Sequence, residues 1–213
     1  VTGQSGNLPW IIDTLLDTDL YKLTMLQAYF HSSEFRQADS EWKFCCRNPH
    51  DKQLSLLIPE ILRQFEHLCT LRFQTNEILY LESLGWFKPG FLAFLPSLRL
   101  DMKHVSIQAA GRNLDLRFQG PLLQVTLFEI YGLSIINEVY TRRRYPRPDY
   151  QTGKERLFQK IALIKNRPDL ERLKISDFGT RRRFNRDWQE QVLTVLRREI
   201  PGCLAGTSNV HLA

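Results

Sequence analysis

Leu173-Lys174-Ile175-Ser176-Asp177-Phe178 is a short apolar-alternating run that ends at Gly179. Asn185 follows, then a stretch from Asp187 to Glu199 that places Trp188, Val192, Val195, Leu196 and Ile200 at helical spacing. Pro201-Gly202 stops that stretch, and Cys203-Leu204-Ala205 leads into Gly206-Thr207-Ser208-Asn209. The pattern predicts strand, capped helix, strand. Such a unit requires two parallel strands joined by a right-handed crossover. The fold class is therefore α/β. In parallel strand–helix folds, ligands bind at the carboxyl ends of the strands. One end offers Asp177 to Arg183 and the other offers Gly206 to Asn209. If the strands are neighbours, an aromatic ring, guanidinium groups and small hydroxyls face one pocket. That set suits a flat anionic ligand, because Arg grips carboxylate or phosphate through paired hydrogen bonds and Phe stacks on a planar ring. Arginine runs are also ordinary solvated faces, and a phenylalanine after a strand is also ordinary core. Spacing alone leaves both readings open.

Working backward, Gln151–Asn166 predicts a helix after a Pro-containing linker at residues 145–148. Leu127–Tyr140 predicts an apolar helix ending in Arg142-Arg143-Arg144, a placement that suits the negative end of a helix. Residues 105–125 predict a hairpin, with His104–Gln108 and Leu114–Phe118 alternating around Gly111 and Asn113. Helices are predicted over 15–30, 54–68 and 75–84, and a short strand over 42–46 ending at an Asn48-Pro49 turn. Residues 1–10 are read as a flexible leader, 11–133 as a first α/β domain and 134–213 as the start of a second.

The chain of 213 residues is 43% hydrophobic and 24% charged, enough apolar side chain for a sizeable core. Its net charge of +6 favours an anionic partner without choosing among nucleic acid, acidic lipid and a phosphorylated small molecule. The four cysteines form no CxxC pair and have no histidine at ligand spacing, which predicts reduced, buried thiols and a cytoplasmic setting. The mostly apolar stretch 127–136 is short and holds Glu129, so no membrane span is expected. P-loop, GxGxxG, HExxH and GxSxG patterns are absent. The histidines are scattered; His211 follows the 206–209 loop and is read as structural.

Three segments together resemble the nicotinate phosphoribosyltransferase family: Asp17-Thr18-Asp19-Leu20-Tyr21-Lys22, Ser176-Asp177-Phe178-Gly179-Thr180-Arg181-Arg182-Arg183-Phe184, and Gly206-Thr207-Ser208-Asn209. Leu114–Pro121 is similar to that family more weakly. The resemblance implies an N-terminal α/β sandwich followed by the first part of an irregular α/β barrel, as in type II phosphoribosyltransferases. It implies transfer of phosphoribose from phosphoribosyl pyrophosphate to nicotinate in NAD salvage, coupled to ATP hydrolysis through a phosphorylated histidine, with Mg2+ as cofactor. A homodimer with a shared active site is implied, with no nucleic acid or membrane partner. By the same resemblance Tyr21 reaches into the neighbouring subunit's site, Phe178 stacks on the other face of the pyridine, and Arg181 holds anionic groups. Thr207 and Ser208 join the substrate-binding set, with Asp19, Arg182, Arg183 and Asn209 as further candidates. Nicotinamide-using relatives carry Asp at the position of Ser208, so serine there is expected to remove repulsion of the acid substrate. The phosphoacceptor histidine and the magnesium-binding aspartates are expected beyond residue 213, and the fragment alone is expected to be inactive. A basic RNA-binding module and a nicotinamide-using or quinolinate-using relative are the alternatives.

Overall fold

A computed structural model describes residues 9–47, 53–167, 169 and 172–213. The chain opens with an irregular buried segment, Ile11 to Asp19, before helix α1 (Leu20–His31). The helix predicted from residue 15 starts five residues later for a tertiary reason. Asp19 bridges antiparallel to Asn209, Leu20 N donates to Ser208 O at 2.7 Å, and Val210 N donates to Thr18 O at 2.9 Å. The backbone of this segment is thus committed to a distant loop before it can begin a helix.

A short α2 (Ser33–Arg36) leads into strand β1 (Asp39–Lys43), three residues earlier than the apolar pattern predicts. Register explains the shift. β1 pairs antiparallel with β3 (Asn113–Pro121), from Asp39 opposite Pro121 to Lys43 opposite Arg117, and the long partner recruits the polar Asp39-Ser40-Glu41. Phe44 N still donates to Leu116 O at 2.9 Å. The predicted Asn48-Pro49 turn lies outside the described residues.

Leu54–Leu57 forms a 3-10 turn, Pro59 opens α3 (Ile58–Thr70), and α4 (Thr75–Ser83) and α5 (Pro89–Phe94) follow. β2 (Val105–Ala110) and β3 form the predicted hairpin. Ala110 faces Asn113 across a two-residue loop, and Gly111 at φ 61° takes the first central position, which the type II′ turn reserves for glycine. The three strands lie in the order β1-β3-β2. Leu114, Leu116 and Phe118 on the inner face of β3 meet α3 and α7 (Phe128–Arg144), the latter entered through α6 (Leu122–Val125). Phe118 stacks on Phe128 at 4.9 Å, and Phe65 meets Phe118 edge-on at 5.6 Å.

Residues 122–144 are long and apolar enough to cross a membrane by length and composition, a longer run than the sequence pattern picked out. Of its most apolar window, 78% is buried within the fold, as the central helix of a core requires. The boundary expected near residue 134 falls inside α7, which packs on α3 and on the turn at residues 180–182. At the other end of the chain's first part, Pro9 and Trp10 are docked. Trp10 stacks on His67 at 4.1 Å with Arg63 on its ring at 4.3 Å, and Arg142 donates to Pro9 O at 2.7 Å.

After α8 (Tyr150–Lys165) comes the predicted unit: β4 (Ile175–Asp177), α9 (Arg186–Glu199) and β5 (Leu204–Thr207), with β4 and β5 parallel. Asn185 caps α9, its Oδ1 accepting from Trp188 N at 2.8 Å. Asn185→Ala should cost about 1 kcal/mol, read as a lowered midpoint in denaturant unfolding; an unchanged midpoint would show that α9 does not depend on its cap. The expected buried thiols are corrected: Cys45 is exposed and Cys46, Cys69 and Cys203 are half-buried, all four free. Burial still pushes the Cys69 thiol up to about 12.

Candidate active site

The carboxyl ends of β4 and β5 do form one locus, and Asp177 builds it. Its Oδ1 accepts from Gly179 N at 3.0 Å, while Oδ2 accepts from Thr207 Oγ1 at 2.7 Å and Gln189 Nε2 at 2.8 Å. Ser208 N donates to Asp177 O at 2.8 Å. One carboxylate thereby fastens both loops to each other and to α9. Gly179 permits this closeness, since a Cβ there would stand 2.7 Å from Asp177 Oδ1.

The N-terminal segment supplies the third wall. Ser208 Oγ donates to the buried Asp19 Oδ1 at 2.6 Å, and Arg181 Nε lies 3.5 Å from Asp19 Oδ2. The Tyr21 ring centroid is 6.0 Å from the Arg181 guanidinium. Burial, then the Glu129 carboxylate, raises the Tyr21 phenol above its ordinary value, with Arg181 opposing and Asp19 reinforcing; Tyr21 is neutral at physiological pH. Arg181 keeps 33% of its side chain exposed, enough for a ligand to reach it. It lines, with Trp42, Glu129, Asn137, Tyr140 and Arg182, a cavity of about 640 Å³. A second groove of about 450 Å³ lies between α8 and α9 and touches none of these residues.

The arginines of the 181–183 run part company. Arg181 and Arg182 face the cavity. Arg183, a candidate for holding anions, is instead a buried structural cation. Its Nη1 and Nη2 donate to the two oxygens of Asp17 at 2.7 Å each, and Nε lies 3.6 Å from Glu138 Oε2. Burial works against the Arg183 charge, but Asp17 and Glu138 outweigh it and hold its pKa above the ordinary value. Asn209 is likewise internal: its Nδ2 donates to Asp17 Oδ1 at 2.7 Å and Thr180 Oγ1 at 3.0 Å. Thr207 is engaged with Asp177, and His211 is exposed. Phe178 is 56% exposed. No ring contact joins it to Tyr21 among the described residues.

The Ser208 hydroxyl is turned to Asp19, a buried carboxylate that Arg181 offsets. Asp17, Lys22 and Glu129 were not chosen from the sequence, and Asp177 entered only as the first residue of the loop after β4. Glu129 carried a signal, being the lone charge in the apolar stretch 127–136.

The family model described as the nicotinate phosphoribosyltransferase (NAPRTase) N-terminal domain matches residues 16–137. The nicotinate phosphoribosyltransferase (NAPRTase) family model matches residues 173–213. The chain belongs to the nicotinate phosphoribosyltransferase family. It is 51% identical to the nicotinate phosphoribosyltransferase of Psychromonas ingrahamii over 204 residues, covering 96% of this chain and 50% of that protein. It is 47% identical to the enzyme of that name from Cupriavidus necator over 206 residues, covering 95% of this chain and 52% of the relative. The crystal structure of nicotinate phosphoribosyltransferase from Vibrio cholerae superposes with a TM-score of 0.88 at 31% identity, over 96% of this chain and 49% of that one. The corresponding structure from Porphyromonas gingivalis gives 0.81 at 34% identity, over 95% and 51%. The chain thus spans about half the length of the relatives it matches. The mixed α/β architecture is that of the N-terminal part of these structures.

Proposed function

We propose that the protein carrying this chain transfers phosphoribose from phosphoribosyl pyrophosphate to nicotinate, forming nicotinate mononucleotide and pyrophosphate in NAD salvage, with ATP hydrolysis coupled to the transfer. One observation carries the reading. Three segments far apart in sequence, 17–22, 177–183 and 206–209, converge on Arg181, with Asp19 and Tyr21 beside it and Ser208 bonded to Asp19. The relatives' names supply the reaction.

Glycosyl transfer builds positive charge on the ribose as the bond to pyrophosphate breaks, so the protein's work is positioning and electrostatic stabilisation. Arg181 and Arg182 hold anionic groups, and Tyr21 and Phe178 orient the pyridine. In this reading the active protein is a homodimer, and the exposed Phe178 ring meets the substrate in a site completed across the subunit interface. A cytoplasmic location belongs to the same proposal. Mg2+ and ATP enter through the family resemblance. No group of three or more His, Cys, Asp or Glu side chains gathers among the described residues. Asp19 and Glu129 are committed to Ser208, Arg181 and Lys22. That donor set does not fit a metal, and no step is assigned to one. The RNA-binding and nicotinamide-using alternatives draw no support from the relatives described above, which are named for nicotinate.

The test is product formation by the full-length protein from nicotinate and phosphoribosyl pyrophosphate, with and without ATP. Nicotinate mononucleotide formed faster with ATP is the expected result; no product with either mixture overturns the proposal. Phe178→Ala should raise the KM for nicotinate about tenfold, the order of a lost aromatic stack and its buried area. An unchanged KM would remove Phe178 from the site.

A further inference from the structure

Lys22 is 1% exposed, unusual for a lysine, and nothing in the proposed chemistry uses it. Its Nζ donates to Glu129 Oε2 at 2.5 Å and stands 4.3 Å from the Trp42 ring and 5.6 Å from the Tyr21 ring. The other oxygen of Glu129, Oε1, lies 3.9 Å from Arg181 Nη1. Glu129 therefore divides one negative charge between a buried lysine and the arginine proposed to receive substrate. Burying a lysine against a carboxylate that is itself 24% exposed is a costly way to join α1 to α7, where two apolar side chains would serve.

We infer that Glu129 is a resident counter-anion for Arg181, and that Lys22 weakens its hold so that an anionic substrate group can displace it. The inference rests on the proposed reaction. Arg181 faces Asp19 at 3.5 Å and Glu129 at 3.9 Å, neither close enough to form a hydrogen bond. Glu129 does form one with Lys22, which holds one of its oxygens and leaves the other 3.9 Å from Arg181. The arginine is thus held in place yet uncommitted. Without Lys22, both oxygens of Glu129 become available to Arg181, and the carboxylate competes directly with the substrate's own. Lys22 and Glu129 are positioning and selectivity residues, because each acts on substrate through Arg181.

The test uses the full-length protein and steady-state kinetics with nicotinate, nicotinamide serving as the uncharged analogue. Lys22→Met should raise the KM for nicotinate on the order of tenfold, the effect of one uncompensated like charge within about 4–6 Å, while kcat falls much less. Adding Glu129→Gln to that variant should bring the KM back toward wild type, a rescue that a purely structural lysine would not show. Glu129→Gln alone, which keeps shape and a hydrogen bond to Lys22, should lower the KM for nicotinate and leave nicotinamide inhibition unchanged; this variant decides the matter should Lys22→Met fail to fold. Active wild type with Glu129→Gln unchanged toward nicotinate, or a double variant no better than Lys22→Met, overturns the inference alone. Wild type without nicotinate turnover overturns the functional reading and the inference with it.

Discussion

Asp17→Ala should destabilise the folded protein by about 3–5 kcal/mol, the range found when one partner of a buried ion pair is removed. Asp17 is fully buried and accepts three hydrogen bonds, two from Arg183 and one from Asn209. Deleting the carboxylate leaves the Arg183 guanidinium in the interior with Glu138 as its remaining anion, at 3.6 Å and without a hydrogen bond from Arg183 Nε. Glu138 is a poor substitute. Burial pushes its carboxyl up, against the pull of Arg183 and Arg142, so it is less ready to carry the compensating charge. Asn209 loses an acceptor as well, and with it one tie between the 206–209 loop and the N-terminal segment. Asp17→Asn keeps the shape and one acceptor oxygen and should cost less than the alanine variant. Denaturant unfolding of the full-length protein measures both. A loss below about 1 kcal/mol for Asp17→Ala, the scale of an exposed pair, would mean that water reaches Arg183 and that the three segments are joined by something other than this pair.

The sequence announced the frame of this site better than its wiring. The β4-α9-β5 unit was legible because each signal in it is local: alternation over 173–178, an Asn at the cap, an apolar face at helical spacing and Pro201-Gly202 at the stop. The hairpin was legible for the same reason, its turn glycine lying between two alternating runs. Arg181, Arg182 and Arg183 are alike in sequence, yet two face a cavity and the third is buried on Asp17. Adjacent residues in a tight turn point in different directions, and their destinations are set by partners more than 100 residues away. Lys22 and Glu129 were hidden similarly. Charged side chains are normally solvated, and only a partner across the fold makes their burial tolerable. The late start of α1 has this origin too, since residues 17–19 exchange their local helix for bonds to residues 183 and 208–210. Local rules fail where the chain brings remote segments together to make a site.

Arg181→Met should lower kcat/KM for nicotinate on the order of 10²- to 10³-fold, more than one charge-assisted hydrogen bond accounts for. The first part of the loss is the guanidinium itself, the exposed cation nearest Tyr21 and Asp19. The second part is what it leaves behind. Asp19 is buried, its Oδ1 is taken by Ser208, and among the described residues its Oδ2 has no hydrogen-bond partner and only Arg181 within ion-pair distance. Without that arginine, an unneutralised carboxylate lies where the acid substrate is proposed to approach, and Glu129 adds a second. Repulsion therefore joins the lost attraction. The two parts can be separated. Asp19→Asn in the Arg181→Met background should recover about tenfold, the scale of one nearby like charge, because it removes the repulsion and restores no attraction. Recovery in the double variant would establish Asp19 as a carboxylate that the site tolerates only through Arg181. A single variant within about tenfold of wild type, with no gain from the second substitution, would place the anion-binding role elsewhere, with Arg182 the next residue to change because it lines the same cavity.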